Sequence, residues 1–299
     1  MTISEAFRKG VELLKIAGNE APAREAGALL CSVAHCGRTF LYAHGTDEFN
    51  DVLYSHYFTL LERRTEGVPL QYLTGMQEFM SLPFEVGPGV LVPRQETELL
   101  VETVINRCKG RSGSEAIHSK PDRGRCDISI LDVGTGSGCI AVSLAYYVPG
   151  CLVTAIDRMP DAISIAQRNA VLNKVADRIH FIESNLFEAI SAERFDIIVS
   201  NPPYIRTGDI KGLQKEVRCY EPMEALDGGS DGLDFYRVII EKATGFLYEG
   251  GMLAFETGYD QAQDVAKIMS GSFENIQIYK DLAGIDRVVA GNCVNENIF

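Results

Sequence analysis

The second half of the chain alternates short apolar runs with helical patterns, and this alternation restricts the fold more than any other feature. Strands that alternate with helices predict an open, largely parallel α/β sheet. The last two runs are joined by a short segment that contains glycine, so they can pair only antiparallel. We therefore expect an α/β fold whose seven-stranded sheet ends in an antiparallel hairpin. The runs are Ile128–Val133, Leu152–Ile156, Ile179–Ile182, Phe195–Ser200, Met252–Glu256, Ile276–Tyr279 and Arg287–Ala290.

The first 76 residues carry apolar side chains at helical spacing and predict a small helical domain. Ser4 is the expected N-cap of the first helix, and Gly18 is its expected end. No catalytic set of residues is visible here, so a binding role is favoured and a purely structural role is the alternative. The expected helices are Ser4–Ile16, Ala21–Cys36, Arg38–Ala43 and Asp47–Glu66.

Residues 77–93 differ in composition from the regions on either side. Their apolar side chains alternate with Pro83, Gly87, Pro88 and Gly89. This pattern predicts a linking β-hairpin with a Pro-Gly turn. A helix at Glu96–Cys108 then leads into a second domain, which we expect to span residues 94–299. Within that domain, the polar segment 109–127 predicts a surface loop.

The overall composition counts against several classes of protein. The formal net charge of -13 lacks the basic field that drives salt-dependent nucleic-acid binding. The chain has no apolar run long enough for a membrane span, and its start lacks the features of a secretory signal. We therefore expect a cytoplasmic protein with no membrane partner. The 8 cysteines form no C-x-x-C pair and the 5 histidines do not cluster with them, so no metal site is expected.

A glycine-rich turn follows the first predicted strand of the sheet and opens the next helix. Glycine is needed where a turn demands positive φ or where a ligand lies against the backbone. The spacing is G-x-G-x-G, whereas dinucleotide-binding proteins use G-x-G-x-x-G to place a pyrophosphate at the helix N-terminus. S-adenosylmethionine has no pyrophosphate, so the altered spacing is compatible with this cofactor. The expected contacts are Gly134, Thr135, Gly136, Ser137 and Gly138.

Asp157 ends the next apolar run, at the position where a carboxylate can accept hydrogen bonds from both ribose hydroxyls. Either feature alone also fits a generic nucleotide fold, whereas the two together favour S-adenosylmethionine. Asp132 is available to brace the glycine-rich turn. The segment Asn185-Leu186-Phe187 is placed either to flank the adenine or to form a structural turn.

The tetrapeptide Asn201-Pro202-Pro203-Tyr204 directly follows the fourth predicted strand. Ligands of open α/β sheets bind at the carboxyl ends of strands, so this motif should face the cofactor. The side-chain oxygen of Asn201 and the carbonyl of Pro202 can each accept one N–H of an acceptor NH2 group. Tyr204 offers a flat π face to a planar group. A proline-rich turn with no catalytic part is the alternative interpretation.

These residue types suit methyl transfer to a planar amide or amine nitrogen. An amide nitrogen is a poor nucleophile because its lone pair is delocalised into the carbonyl. Two acceptors on its hydrogens favour pyramidalisation and direct the lone pair at the sulfonium methyl group. No strong base is required before attack, since the proton is far more acidic once the nitrogen is methylated. Asn201, Pro202 and Tyr204 are therefore the expected catalytic residues.

A series of further motifs runs along nearly the whole chain. It includes Arg64, Gly67–Gly75, Glu78-Phe79, Leu91–Glu98, Gly134–Gly138, Asn201–Tyr204, Glu216-Val217, Tyr220-Glu221-Pro222, Ala225–Gly229, Asp231-Gly232-Leu233, Phe235-Tyr236-Arg237, Asp281–Gly284 and Asp286-Arg287. Together these motifs resemble the protein-(glutamine-N5) methyltransferases that modify class 1 peptide chain release factors. The series is more specific than the N-P-P-Y motif alone, because motifs of that type also serve exocyclic amines of adenine and cytosine.

The resemblance implies a class I methyltransferase fold, which is Rossmann-like, and methylation of the glutamine in the Gly-Gly-Gln loop of a release factor. The N-terminal helices would then grip this partner. By match, cofactor contacts carry over to Gly134–Gly138, Asp157, Leu186 and Asn201, and substrate contacts to Asn201, Pro202, Pro203 and Tyr204. Two positions depart from the family pattern. Asn185 stands where the family often has aspartate, and Leu186 stands where an aromatic residue can flank the adenine.

Two other functions share part of this pattern. An adenine-specific DNA or RNA amino-methyltransferase needs a basic surface and aromatic side chains for the extruded base. The net charge of -13 and the absence of tryptophan count against it. The other function is that of a non-catalytic, cofactor-binding translation factor, and the intact Asn201, Gly134, Gly136 and Asp157 argue against such decay of the site. The roles of Glu96, Glu98 and Glu256 stay open between shaping the site and local capping or ion pairing.

Overall fold

The computed structural model describes residues 1–111, 128–191 and 193–294. Contacts between residues divide the described chain into two compact units. The first comprises Met1–Met76 together with Gln214–Tyr220, and the second comprises the rest. The chain therefore enters the first unit a second time, shortly after the Asn201–Tyr204 motif.

The first unit is helical. Its core is formed by apolar side chains from four of its helices and from the loops that join them. Ile3, Leu14, Leu30, Tyr57 and Leu61 are among the buried residues of this core. Its helices are α1 (Ile3–Ile16), α2 (Pro22–Ala34), α3 (Arg38–Ala43), α4 (Asp51–Thr65) and α5 (Leu70–Thr74), and residues 214–220 contribute a short helix, Lys215–Tyr220.

The N-cap of α1 is Thr2, not Ser4 as the sequence pattern predicts. The Thr2 hydroxyl accepts a hydrogen bond from the Glu5 amide at 3.2 Å, and the Glu5 carboxylate accepts one from the Thr2 amide at 2.9 Å. This reciprocal capping box satisfies two amides that the first turn leaves unpaired. Ser4 lies one residue inside the helix, where its side chain cannot cap.

Arg64 connects three segments of the first unit. Its Nε donates to the Glu25 carboxylate at 2.6 Å, and its NH2 group lies 3.0 Å from the Glu216 carboxylate. The Tyr220 hydroxyl donates to the Glu66 carbonyl at 3.3 Å. These contacts hold residues 214–220 on the helical unit, although they follow the predicted acceptor motif in sequence.

The second unit begins with a two-stranded hairpin, β1 (Met76–Phe79) and β2 (Leu82–Glu85). The predicted Pro-Gly turn is wrong, because the chain reverses at Met80 and Ser81, whose φ angles are 50° and 58°. Two consecutive residues with positive φ form the hairpin turn that suits the right-handed twist of the strands. Segment Gly87–Gly89 instead lies beyond the hairpin. The apolar face of the hairpin is buried through Phe79, Leu82 and Phe84.

Seven strands form the main sheet of the second unit. They are β3 (Ile128–Val133), β4 (Cys151–Asp157), β5 (Ile179–Glu183), β6 (Phe195–Ser200), β7 (Leu247–Glu256), β8 (Phe273–Lys280) and β9 (Asp286–Cys293). Their order in the sheet is β5-β4-β3-β6-β7-β9-β8. Strands β3 to β7 pair parallel, whereas β9 is antiparallel to both β7 and β8. The predicted seven-stranded sheet with a final antiparallel hairpin is confirmed.

Helices cover both faces of this sheet. Successive strand residues point to opposite sides, so each strand contributes side chains to the core on either face. Ile130 packs in one core cluster and its neighbour Leu131 in the other. The helices are α6 (Glu98–Arg111), α7 (Cys139–Tyr147), α8 (Pro160–Leu172), α10 (Asp234–Phe246) and α11 (Ala262–Met269), and Lys215–Tyr220 of the first unit is α9. The predicted loop 109–127 is wrong at its start, since α6 continues to Arg111, and its remainder lies outside the described residues. No helix of the described ranges combines the length and apolarity required to cross a membrane.

The strand register brings the predicted site residues to one edge of the sheet. Val133 pairs with Ile156 on one side and with Ser200 on the other. The glycine-rich turn follows β3 and Asn201 follows β6, whereas Asp157 is the last residue of β4. Because the carboxyl ends of parallel strands share an edge, the three features meet there.

Candidate active site

The glycine-rich turn is held against the end of β4 by two backbone hydrogen bonds. The amides of Gly134 and Thr135 each donate to the Ile156 carbonyl at 2.9 Å. Gly134 and Gly136 have φ angles of 75° and 55°, and a Cβ atom at either position would point into open space. The turn therefore presents bare backbone to the region above the sheet edge, which leaves room for a ligand to lie directly against it.

Gly138 serves packing, in contrast to the two glycines before it. Its φ is 80°, and a Cβ atom there would lie 2.9 Å from the Cβ of Ala166 in α8. This distance is well inside van der Waals contact, so only glycine lets α7 start this close to α8. Gly138 is not among the residues that line the cleft, and its predicted cofactor contact stays untested.

Asp132 braces the turn from below. Its Oδ2 accepts hydrogen bonds from the Thr135 hydroxyl at 2.7 Å and from the Ala141 amide at 3.2 Å. The side chain is fully buried, and this desolvation raises the pKa of Asp132 to about 7, although both hydrogen bonds oppose the shift. The carboxyl group thus links the turn to the first residues of α7.

The Asp157 carboxylate accepts hydrogen bonds from two backbone amides. Oδ2 accepts from the Gly136 amide and Oδ1 from the Met159 amide, both at 2.9 Å. Each carboxylate oxygen has a second lone pair, so the group can still accept hydrogen bonds from a ligand. Asp157 therefore holds the turn in place and also faces the cleft.

An open cleft lies next to these residues, and its empty space of about 1070 Å³ includes solvent at its mouth. Of the predicted cofactor contacts, Gly134, Thr135, Gly136, Ser137, Asp157, Leu186 and Asn201 line it. Leu186 is held in the left-handed region at φ 50°, and the Ser184 hydroxyl donates to its carbonyl at 2.6 Å. Gly89, Val90, Leu91, Pro93 and Arg94 also line the cleft, so the segment misassigned to the hairpin turn belongs to its wall.

The four residues of the acceptor motif differ in whether they line the cleft. Asn201, Pro202 and Pro203 line the cleft, whereas Tyr204 is not among its lining residues. The Tyr204 hydroxyl donates to Oε1 of Glu256 at 3.4 Å. Burial is the main cause that raises the pKa of Tyr204 above its usual range, so the phenol stays neutral.

The amide group of Asn201 has a defined orientation. Its Nδ2 donates to the hydroxyl of Thr97 at 3.2 Å, which leaves Oδ1 free to accept. Among the described residues, no backbone amide outside the regular elements donates to the Pro202 carbonyl. The motif thus has two oxygen atoms available as acceptors, and their contact with an NH2 group of the substrate stays a prediction.

The backbone of the motif is supported by a glycine-containing segment that precedes α10. A Cβ atom at Gly228 would lie 2.7 Å from both the Pro203 carbonyl oxygen and the Tyr204 Cα. The Gly228 amide donates to the Ile205 carbonyl at 2.8 Å. Gln261 adds a side-chain support, since its Nε2 donates to the Tyr204 carbonyl at 2.9 Å. Sequence reasoning singled out this glycine segment only through the family resemblance and missed Gln261.

Three acidic residues whose roles the sequence left open have distinct positions. Glu98 accepts a hydrogen bond from the Met80 amide at 2.7 Å and so fixes the hairpin turn. Glu96 is exposed, whereas Glu256 is buried beneath the motif. One terminal nitrogen of Arg94 donates to both carboxylate oxygens of Glu221 at 2.7 Å, which forms an ion pair at the wall of the cleft.

Two family models match the chain. The model described as PrmC N-terminal domain matches residues 5–75, and the model described as Methyltransferase small domain matches residues 112–216. A release factor glutamine methyltransferase of Moorella thermoacetica is 41% identical over 96% of this chain and 97% of its own length. The chain belongs to the release factor glutamine methyltransferase family. Membership of this family makes it an S-adenosylmethionine-dependent methyltransferase.

Other relatives of the family are similar over comparable lengths. The release factor glutamine methyltransferase of Geobacter sulfurreducens is 46% identical and covers 78% of this chain and 76% of its own. That of Escherichia coli is 39% identical and covers 93% of this chain and 94% of its own. These two enzymes support the same family assignment along both units of the chain.

Solved structures of distant methyltransferases share the fold. A methyltransferase from Pyrococcus furiosus has a TM-score of 0.50 and 16% identity, and the match covers 72% of this chain and 91% of the other. A Thermus thermophilus 16S rRNA methyltransferase in complex with AdoMet and guanosine has a TM-score of 0.51 and 18% identity, covering 73% of this chain and 49% of the other. The predicted class I methyltransferase fold is confirmed.

Proposed function

We propose that the protein transfers the methyl group of S-adenosylmethionine to the side-chain amide nitrogen, N5, of the glutamine in the Gly-Gly-Gln motif of a class 1 peptide chain release factor. The observation that carries this proposal is the orientation of Asn201, whose Nδ2 donates to Thr97 and whose Oδ1 is therefore free. The family assignment supports a glutamine as the acceptor. A substrate that acts in translation supports a cytoplasmic location.

The residues of the cleft fit the cofactor. Open space above Gly134 and Gly136 accommodates a ligand against the backbone, and a side chain at either position would fill it. Asp157 keeps lone pairs for the ribose hydroxyls while it accepts from Gly136 and Met159. Leu186 and Ile140 supply apolar contact in the same cleft. When bound there, S-adenosylmethionine supplies an electrophilic methyl group on a sulfonium centre.

The acceptor residues orient the glutamine amide. One N–H of its NH2 group donates to Asn201 Oδ1 and the other to the Pro202 carbonyl, which fixes the plane of the hydrogens. The lone pair then lies out of that plane, toward the cleft, and both acceptors stabilise the positive charge that develops on nitrogen. This lone pair would accept the methyl group of bound S-adenosylmethionine, which would leave as S-adenosylhomocysteine, and the nitrogen would then lose one N–H proton to solvent.

The helical unit supplies a separate surface for the release factor. Its side chains Ile16, Tyr42 and Val52 are exposed at 80%, 85% and 75%, and none of its residues lines the cleft. A surface remote from the reaction can add affinity and can orient the glutamine loop. We assign residues 1–76 this role in substrate recognition.

The proposal is tested by incubating the protein with methyl-labelled S-adenosylmethionine and a purified class 1 release factor. We expect the label on the glutamine of the Gly-Gly-Gln motif, located by peptide mass spectrometry. A release factor with Gly-Gly-Ala in place of Gly-Gly-Gln is the matched control and should stay unlabelled. Label in added DNA or RNA, or label elsewhere on the release factor, would contradict the proposal.

A further inference from the structure

Glu256 is a buried carboxylate that accepts a hydrogen bond from the acceptor motif. It ends β7, next to the carboxyl end of β6, and its exposed fraction is 1%. It is not among the residues that line the cleft. An ionisable group in such a place costs free energy to bury, which calls for a compensating role.

We propose that Glu256 is a positioning residue that acts through Thr97 and Tyr204 to hold the acceptor motif in the orientation that receives an amide. This inference rests on the proposed function. The Tyr204 hydroxyl donates to Oε1 of Glu256 at 3.4 Å, which anchors the end of the motif. The Thr97 hydroxyl faces the same carboxylate and stabilises its charged form.

Thr97 transmits the effect to Asn201 because a hydroxyl has a single proton. Thr97 is 2% exposed, and its oxygen accepts from Asn201 Nδ2 at 3.2 Å. Its proton must therefore point elsewhere, and an ionised Glu256 attracts it. Oε2 of Glu256 has no partner in hydrogen-bond geometry within the described part of the chain, so it is available to this proton. With the proton directed at Glu256, Thr97 can only accept from Asn201, and Asn201 must present its oxygen to the substrate.

Protonation of Glu256 removes this constraint. A neutral carboxyl group can itself donate to Thr97, which frees the threonine proton to turn toward Asn201. That arrangement favours the flipped orientation of the Asn201 amide, in which Oδ1 accepts from Thr97. The NH2 group of Asn201 then points at the NH2 group of the substrate. Two donors facing each other cannot pair, so the protonated form binds the acceptor in an unproductive way.

Charged and titratable groups from several elements surround Glu256. Arg287 in β9 lowers its pKa, and Glu96 raises it. Tyr236 in α10 donates to the Glu256 backbone carbonyl at 2.9 Å, and Cys139 of α7 lies close enough for the acid to raise its pKa. Burial is the largest influence and raises the pKa of Glu256 to about 7. The ionised fraction therefore changes most steeply near neutral pH.

The test compares Glu256→Gln with wild-type protein in full-length form. The glutamine has the same shape and can still accept from Tyr204, but it carries no charge at any pH. We expect kcat of the wild type to rise through about pH 7, and kcat of the variant at pH 8 to be about tenfold lower and flat across this range. The KM for S-adenosylmethionine should change less than twofold, since Glu256 lies outside the cleft. Glu274→Gln, at an exposed position of β8, is the matched control and should behave as wild type.

Variants of Thr97 test the path of the effect. Thr97→Ser keeps the hydroxyl and should retain the pH dependence, whereas Thr97→Val should lose it. The double variant of Glu256→Gln with Thr97→Val should be no slower than Thr97→Val within about twofold, because both act on one path. Multiplied losses in the double variant would mean separate structural damage and would overturn the proposal.

A measurement without substrate separates this inference from the proposed function. The side-chain NH2 resonances of Asn201, assigned with Asn201→Ala, should shift with a midpoint near pH 7 in the wild type and in Thr97→Ser. They should stay constant in Glu256→Gln and in Thr97→Val. Identical titrations in wild type and Glu256→Gln would refute the positioning role, whatever the methyl acceptor proves to be. Failure to label the release factor would bear on the proposed function alone.

Discussion

At the scale of single residues, Asn201 carries the most specific expectation. Its Oδ1 is free because its Nδ2 donates to Thr97. Asn201→Ala removes the acceptor that orients the amide, so we expect kcat to fall by at least about 100-fold. Cofactor affinity, measured calorimetrically with S-adenosylhomocysteine, should change by less than about threefold. Turnover within about threefold of wild type would show that the side chain does not orient the acceptor.

Asp132 makes stability depend on pH in a direction that can be tested. Its pKa is raised to about 7 in the folded state, so between about pH 4 and pH 7 the folded protein binds more protons than the unfolded chain. The free energy of unfolding therefore falls as pH rises through this window. Asp132→Asn is neutral throughout, and we expect it to gain roughly 2–4 kcal/mol relative to wild type between pH 5 and pH 8.

Urea unfolding of both proteins at the two pH values measures this difference. Other buried acids, Glu256 included, titrate equally in both proteins and cancel in the comparison. The asparagine introduced by Asp132→Asn keeps one side-chain oxygen for Thr135 and Ala141, so the turn retains an acceptor. An identical stability difference at pH 5 and pH 8 would mean that Asp132 titrates normally.

Residues of the site were predictable where the chemistry is contiguous in sequence. The glycine-rich turn and the Asn201–Tyr204 motif each occupy one short segment, and each follows a recognisable strand. Thr97, Glu256 and Gln261 come together only because the sheet and its loops bring distant segments to one edge. Single side chains of common types carry no pattern that identifies such support before the fold is known.

At the scale of elements, the sheet was predicted well and its strand ends poorly. The apolar run at Met252–Glu256 identified β7, but the strand begins at Leu247, before a Tyr-Glu-Gly-Gly stretch that carries no strand signal. Pairing with neighbouring strands extends such ends beyond the apolar core. The prediction of the hairpin turn was wrong for a related reason. The tertiary fold places Met80 and Ser81 at positive φ, and glycine or asparagine is the usual sequence signal for that conformation.

The turn offers a direct test of this conformation. Ser81 is exposed, so its replacement changes little packing. Ser81→Gly fits a φ of 58° without steric cost, whereas the branched side chain of Ser81→Val does not. We expect the glycine variant to be more stable than the valine variant by roughly 1–2 kcal/mol in denaturant unfolding. Equal stability of the two variants would show that residue 81 does not adopt positive φ.

At the scale of the whole molecule, the sequence did not predict that the chain enters the first unit a second time. Residues 214–220 pack with the helices of the first unit, although the sequence assigns them to the catalytic domain. Their contacts run from Glu216 to Arg64 and from Tyr220 to Glu66. An ion pair and a hydrogen bond between segments about 150 residues apart leave no periodic pattern in either segment.

The last prediction follows from the proposal that the second unit binds the cofactor and the first unit binds the release factor. A fragment of residues 77–299 keeps the hairpin, whose Phe79, Leu82 and Phe84 fill the core of the second unit, and it keeps every residue that lines the cleft. We therefore expect it to unfold cooperatively and to bind S-adenosylhomocysteine with an affinity within about threefold of the full chain. A fragment that starts at residue 90 would lose those three core side chains and should unfold at lower temperature.

Activity of this fragment separates docking from catalysis. If the helical unit grips the release factor, its removal should lower kcat/KM on the intact factor by at least about tenfold. A short peptide that contains Gly-Gly-Gln lacks the rest of the release factor that the helical unit would bind, so its methylation should change far less. Arg64 is absent from the fragment, which leaves residues 214–220 without their partners, and the peptide assay controls for any effect of this on the cleft. Equal losses on peptide and intact factor, or no loss on the intact factor, would exclude docking by the helical unit.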